Sequence, residues 1–152
     1  MVRKVVVGVL AILVLATVGG GVALVALGGG PPSAAGPRSV HLGEEECANC
    51  HMIVSEAPFA AERVLGVDDV RVYDDPGCLL LELPKDRRGA IYFADAVTGE
   101  WIPGASVRFE PSARPTPMGY ALAATTAAKA SPRALDLESA VQKLANPAKE
   151  KR

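Results

Sequence analysis

The pattern of apolar and polar positions divides the chain into one long uncharged run and a series of short alternating segments. From Val5 to Leu27 no residue is charged, and Thr17 is the most polar. At about 1.5 Å per residue a helix of this length crosses a ~30 Å hydrocarbon core. Arg3 and Lys4 precede the run and the next charge is Arg38. The positive-inside bias then leaves residues 1–4 in the cytoplasm and everything after the span outside. The expectation is a single-pass anchor, residues 5–27, in the cytoplasmic membrane, with the rest on the extracytoplasmic side. A cleaved signal peptide is the rival reading. Its apolar region is normally ~7–15 residues, shorter than this one, although Ser33-Ala34-Ala35 offers small residues for cleavage. No cysteine precedes Cys47 to carry an N-terminal lipid. The glycine triplets at 19–21 and 28–30 are tolerated in membrane helices.

Residues 28–42 read as a linker, rich in glycine and proline up to Pro37. Residues 43–145 read as one domain and 146–152 as a charged tail. Within the domain, Phe59–Leu65 predicts a strand with imperfect alternation, and Val70-Arg71-Val72-Tyr73 alternates cleanly. Asp75-Pro76 marks a helix start, with Asp75 as N-cap and Pro76 in the first turn. The helix covers Gly77–Leu83 and stops near Pro84. Ala90–Ala94 predicts a strand, Thr98-Gly99 a turn and Trp101-Ile102 an extended run. Ala105–Phe109 is a further strand. Pro111–Pro117 is a proline-rich loop closed by Met118-Gly119, and Tyr120–Ala124 is extended. Asp136 caps a last helix, Leu137–Leu144. Strands and short helices alternate irregularly, which points to a small α+β domain rather than a regular parallel α/β fold.

Charge and cysteine content narrow the function. The net charge is −1, and removing Arg3 and Lys4 leaves the exported part more acidic, with no basic stripe. Nucleic acid is therefore excluded as an expected partner. Three cysteines are too few for a disulfide scaffold and leave one unpaired. The chemistry concentrates in Glu46-Cys47-Ala48-Asn49-Cys50-His51-Met52, which follows an acidic entry, Glu44-Glu45-Glu46. Three tenants fit two thiols, an imidazole and a thioether. Thiolate and thioether are soft ligands suited to Cu(I). In an extended segment Cys50 and Met52 would point the same way, completing a trigonal sulfur site. Cys47-x-x-Cys50-His51 is also the attachment signature of c-type haem, with His51 as proximal ligand and Met52 or Met118 as distal one. That makes a membrane-anchored c-type cytochrome the alternative, against which the strand-rich pattern counts. A plain Cys47–Cys50 disulfide is the third possibility. Zinc lacks a second Cys/His pair.

The order of sequence blocks adds a resemblance. Cys47-x-x-Cys50-His51-Met52-Ile53 is followed by Pro58-Phe59-Ala60-Ala61-Glu62, then Val72-Tyr73-Asp74-Asp75-Pro76-Gly77-Cys78-Leu79. Asp95-Ala96-Val97-Thr98-Gly99-Glu100-Trp101-Ile102 and Thr116-Pro117-Met118-Gly119-Tyr120 complete it. This series resembles the NosL family, accessory proteins of nitrous-oxide reductase, over roughly Glu46 to Ala130. The resemblance implies an extracytoplasmic Cu(I) chaperone of two ββαβ-like halves. It also implies a copper cargo, a client cuproenzyme such as nitrous-oxide reductase, and periplasmic or transporter accessory partners. The family's Cys-x-x-Cys-x-Met falls on Cys47, Cys50 and Met52, and its Thr-Pro-Met-Gly on Thr116–Gly119. Two features depart from it. Many members are lipoproteins where this chain has an apolar N-terminal run. The residue between the second cysteine and the methionine is often glycine; here it is His51.

Other residues have plainer readings. Cys78, among Leu79, Leu80 and Leu81, reads as a buried small hydrophobe rather than a ligand. Asp74-Asp75 reads as a helix cap rather than an acid pair, Trp101 as core and His41 as solvated. Met118 reads equally as a further thioether ligand or as a core filler. With no phosphate loop and no nucleophile–base set, the chain is not expected to be an enzyme.

Overall fold

The structure is a computed structural model and describes residues 36–146. The expected anchor, most of the linker and the charged tail lie outside the described residues. Among those described, no helix is long and apolar enough to cross a membrane. What is described is a small mixed domain with two antiparallel sheets and two α-helices.

The first sheet is built from β1 (Ala61–Val64), β2 (Val70–Tyr73), β3 (Ala90–Ala94) and β4 (Trp101–Pro103), in the order β2-β1-β3-β4. Helix α1 (Pro76–Glu82) connects β2 to β3, so the first half runs ββαβ. The second half does not repeat it. β4 joins the edge of the first sheet, β5 (Val107–Pro111) and β6 (Leu122–Thr126) pair as a separate ribbon, and α2 (Leu137–Ala145) follows. Helix α1 packs on β1, β2, β6 and α2, while α2 packs on β5. The Phe93 and Phe109 rings meet edge to face, 5.0 Å between centroids, and join the two sheets.

The imperfect alternation of β1 has a structural reason: all four of its residues are buried. β1 lies inside the sheet with both faces covered, so a period of two carries no signal there. The fully buried Arg63 reaches the α1 side, where its Nη2 donates to the Asp86 carbonyl at 2.7 Å. Glu82 sits 3.9 Å from the same guanidinium and accepts from the Tyr73 hydroxyl at 2.8 Å. Glu62, also fully buried, accepts the Arg38 backbone N–H at 3.0 Å. Two late strands lie about two residues further on than their patterns predict. Gly119 (φ 73°) and Ala121 (φ 56°) both take left-handed backbone, which delays β6 to Leu122.

Both helix starts fall where expected. The Asp75 side chain accepts from Gly77 N at 2.8 Å, and Asp136 accepts from Ser139 N at 2.8 Å. Asp75 is fully buried, however, and its second oxygen accepts the Met118 N–H at 3.1 Å. One carboxylate therefore caps α1 and holds the 116–119 loop. Asp75→Asn turns one of these oxygens into a donor facing an N–H, and should cost about 1–3 kcal/mol. Asp136→Asn on the exposed cap should be nearly neutral, because asparagine caps as well as aspartate. Urea midpoints at unchanged slope measure both.

Candidate metal centre

The Cys47–Met52 segment is a tight loop, not an extended strand. Cys47 N donates to Met52 O at 2.8 Å, His51 N donates to Cys47 O at 3.0 Å, and Glu46 pairs with Ile53 across it. His51 takes φ 63°, a left-handed conformation that favours glycine. This bend cancels the simple alternation that would have set Cys50 and Met52 side by side. Two bonds fix the loop to the β2–α1 junction: Ala48 N to Val72 O at 2.9 Å, and Ser55 N to the Asp74 carboxylate at 2.8 Å.

That junction starts α1, and Cys78 sits in its first turn. The loop thus delivers Cys47 and Cys50 to Cys78. The three sulfurs lie within 4.8 Å of one another and could hold a metal ion. All three cysteines are free thiols. Cys47 and Cys78 are fully buried, and Cys50 is half-buried. Cys78 is therefore a buried core residue, as its leucine neighbours suggest, and also the third member of the cluster. Its place in the first turn of the capped helix that follows β2 brings it to the loop, and no sequence signal marks that meeting.

The thiols share charge unequally. A hydrogen bond from Cys78 is the largest influence on Cys47 and brings it down to about 4. Backbone N–H groups of Cys50, Asp74 and Asn49 add to that. Cys78 is pushed well up, first by the same bond and then by burial, against a bond from the Asn49 side chain. Burial pushes Cys50 up. The metal-free cluster is thus one thiolate cradled by donors, with two thiols beside it.

The other candidates occupy different positions. His51 is exposed, and its Nδ1 lies 2.7 Å from Glu46 Oε1. Met52 is 58% exposed. Met118 is half-buried and packs against the hydrophobic core, as do Trp101 and Tyr120. His41 is exposed, as expected. An apolar cleft of about 300 Å³ lined by Ile91, Tyr92, Pro103, Gly104 and Leu137 includes none of the cysteines. No family model matches the chain, and no curated protein or solved structure is significantly similar to it.

Reduced, metal-free protein should carry the ultraviolet absorbance of one thiolate at neutral pH. Because Cys47 titrates far below an ordinary thiol, the band should fade only as acid takes the pH through about 4. Cys47→Ser should remove it at neutral pH. Absence of any thiolate band in the wild type at neutral pH would contradict this electrostatic picture.

Proposed function

We propose that the protein is a membrane-anchored, extracytoplasmic Cu(I) carrier of the NosL kind, which passes copper to a client cuproenzyme. The observation that carries this reading is the convergence of Cys47, Cys50 and Cys78, with sulfurs within 4.8 Å of one another. A metal–sulfur bond of ~2.3 Å places the sulfurs of a trigonal site about 4.0 Å apart. Small side-chain adjustments suffice to close the cluster on one ion. Three soft donors suit Cu(I), while zinc sites take a fourth ligand. The copper ion is cargo, and the carrier's residues hold and release it. Cys47 and Cys78 form the buried side of the site, and the half-exposed Cys50 forms the side from which an ion enters and leaves. Met52, exposed on the same loop, is placed to meet copper on the way.

The resemblance to NosL supports a client such as nitrous-oxide reductase, with periplasmic or transporter accessory proteins as partners. The apolar run 5–27 supports attachment to the membrane. The c-type cytochrome reading draws less support. Covalent haem needs both cysteines turned outward with the histidine, whereas Cys47 is fully buried against Cys78 and His51 faces Glu46. Left-handed backbone at His51 gives the family's frequent glycine at that position a physical reason, and makes the haem-like triplet incidental.

Reduced protein should bind one Cu(I) per chain. Cys47→Ser, Cys50→Ser and Cys78→Ser should each weaken binding, by about tenfold or more. Met118→Leu keeps side-chain volume and should cost under about 1.5 kcal/mol of stability; a loss of copper affinity in it would add Met118 to the ligands. His51→Gly should bind copper as the wild type does. Equal copper uptake by a Cys47/Cys50 double serine variant would sink the copper reading. Covalent haem in the visible spectrum, after expression with haem-attachment machinery, would establish the cytochrome instead.

The anchor is tested separately by intact mass of membrane-extracted protein. Residues 1–35 should be retained; a mature N-terminus near residue 35 would mean a cleaved signal peptide.

A further inference from the structure

The segment Thr116–Ala121 lies against the first turn of α1, and Tyr120 is its large side chain. A Cβ built on Gly77 would fall 2.3 Å from Cγ and Cδ2 of Tyr120 and 2.7 Å from its Cβ. The tyrosine therefore rests on the backbone of the residue immediately before Cys78, in contact that only glycine permits. Its phenol is pushed up, by burial first and then by Cys78, Asp75, Cys50 and Cys47. Tyr120 packs against the same hydrophobic core that holds Cys47 and Cys78 and that Cys50 also packs against.

The chain is bent to put it there. Gly119 and Ala121, on either side of Tyr120, have φ of 73° and 56°. For alanine that conformation is strained and persists only where surrounding bonds impose it. Those bonds are present. Ala121 N donates to Thr116 Oγ1 at 3.2 Å, Gly119 N donates to Thr116 O at 3.0 Å, and Met118 N donates to Asp75 at 3.1 Å. Thr116 itself is buried. Left-handed backbone on both sides of one aromatic residue, strained at Ala121, and a glycine beneath the ring point to the placement of that ring as what the loop achieves.

We propose that Tyr120 is a positioning residue that keeps the cysteine cluster three-coordinate, by seating its ring beside Cys78 and excluding a fourth ligand. The role rests on the metal-binding reading above and gives it a basis for selectivity. Zinc in a protein is almost always four-coordinate, and water is the usual fourth ligand where the protein supplies three. Cu(I) is satisfied by soft sulfur donors. A ring that denies water a place on the Cys78 side of the cluster penalises Zn(II) and leaves Cu(I) untouched. Of the other candidate ligands on the loop, His51 is turned to Glu46 and Met52 is exposed. Cys50 remains the open side, so the ring limits coordination number without closing the path of the ion.

The test uses the full-length chain in detergent, fully reduced, with Cu(I), Zn(II) and Co(II) as probes. Wild-type protein should bind Cu(I) and take Zn(II) poorly, and alkylation of the native metal-free form should reach Cys50 first. Tyr120→Ala should gain Zn(II) affinity relative to Cu(I) by about tenfold or more. It should also show a four-coordinate Co(II) spectrum and open Cys78 to alkylation. Tyr120→Phe should keep wild-type selectivity, since bulk rather than the hydroxyl does the excluding. Tyr120→Leu still packs on Gly77 but is shorter, and should shift selectivity as alanine does; it decides the matter if the alanine variant is unfolded. A folded Tyr120→Ala or Tyr120→Leu variant with unchanged Cu(I)/Zn(II) preference and a protected Cys78 overturns the role of Tyr120 and leaves the copper reading standing. A wild-type chain that binds no Cu(I) overturns both.

Discussion

The architecture around the cysteines depends on two adjacent carboxylates at the end of β2. Asp74 accepts the Ser55 N–H and so fixes the far end of the cysteine loop. Asp75 caps α1 through Gly77 and holds the 116–119 loop through Met118. Three segments distant in sequence are thereby joined at one junction, and each brings a part of the site. The cysteine loop brings Cys47 and Cys50, α1 brings Cys78, and the third segment brings Met118 and Tyr120. Neither carboxylate belongs to the cysteine cluster itself. Their burial makes each bond costly to lose, because an N–H or oxygen left unpaired there has no water to turn to.

The same junction sets the electrostatics. Burying three sulfurs side by side would be unfavourable if all were charged, and a neutral trio would leave the backbone donors around Cys47 without an anion. The donors around Cys47 favour its thiolate, while burial and the Cys47 neighbour hold the proton on Cys78. Cys47 receives the Cys78 hydrogen bond and three backbone N–H groups, and Cys78 pays for it by holding its proton. Metal binding must then displace two protons at most from Cys50 and Cys78, and replaces a shared hydrogen bond with a shared cation.

Much of this was legible in the sequence, and the parts that were not have physical causes. β2, the Asp75 and Asp136 caps and β3 stand where alternation and capping chemistry place them, because each is decided by near neighbours. Cys78 escaped because burial among leucines gives the same sequence signal for a thiol that packs and a thiol that binds. Only the tertiary return of the 47–52 loop to the start of α1 separates the two. The expected alignment of Cys50 with Met52 assumed extended backbone, and the left-handed turn at His51 removes that assumption. The delayed start of β6 has the same kind of cause at Ala121, where a non-glycine residue gives no warning of its conformation.

β1 shows why the cysteine loop belongs to the fold rather than hanging from it. Its buried charges, Glu62 and Arg63, alternate along the strand and so face opposite sides of the sheet. Arg63 is met by Glu82, Asp86 and α1. Glu62 is met by the backbone of Arg38, whose guanidinium in turn pairs with Glu45, one residue before the loop begins its pairing. The segment that carries the cysteines is therefore tied at its start to the central strand and at its end to Asp74. A loop clamped at both ends holds its thiols near the binding arrangement before the ion arrives, which lowers the ordering cost of binding. The same clamping confines any movement on release to the half-exposed Cys50 and the exposed Met52. Rigidity on the buried side and freedom on the open side are what the carrier role proposed above requires of the cluster.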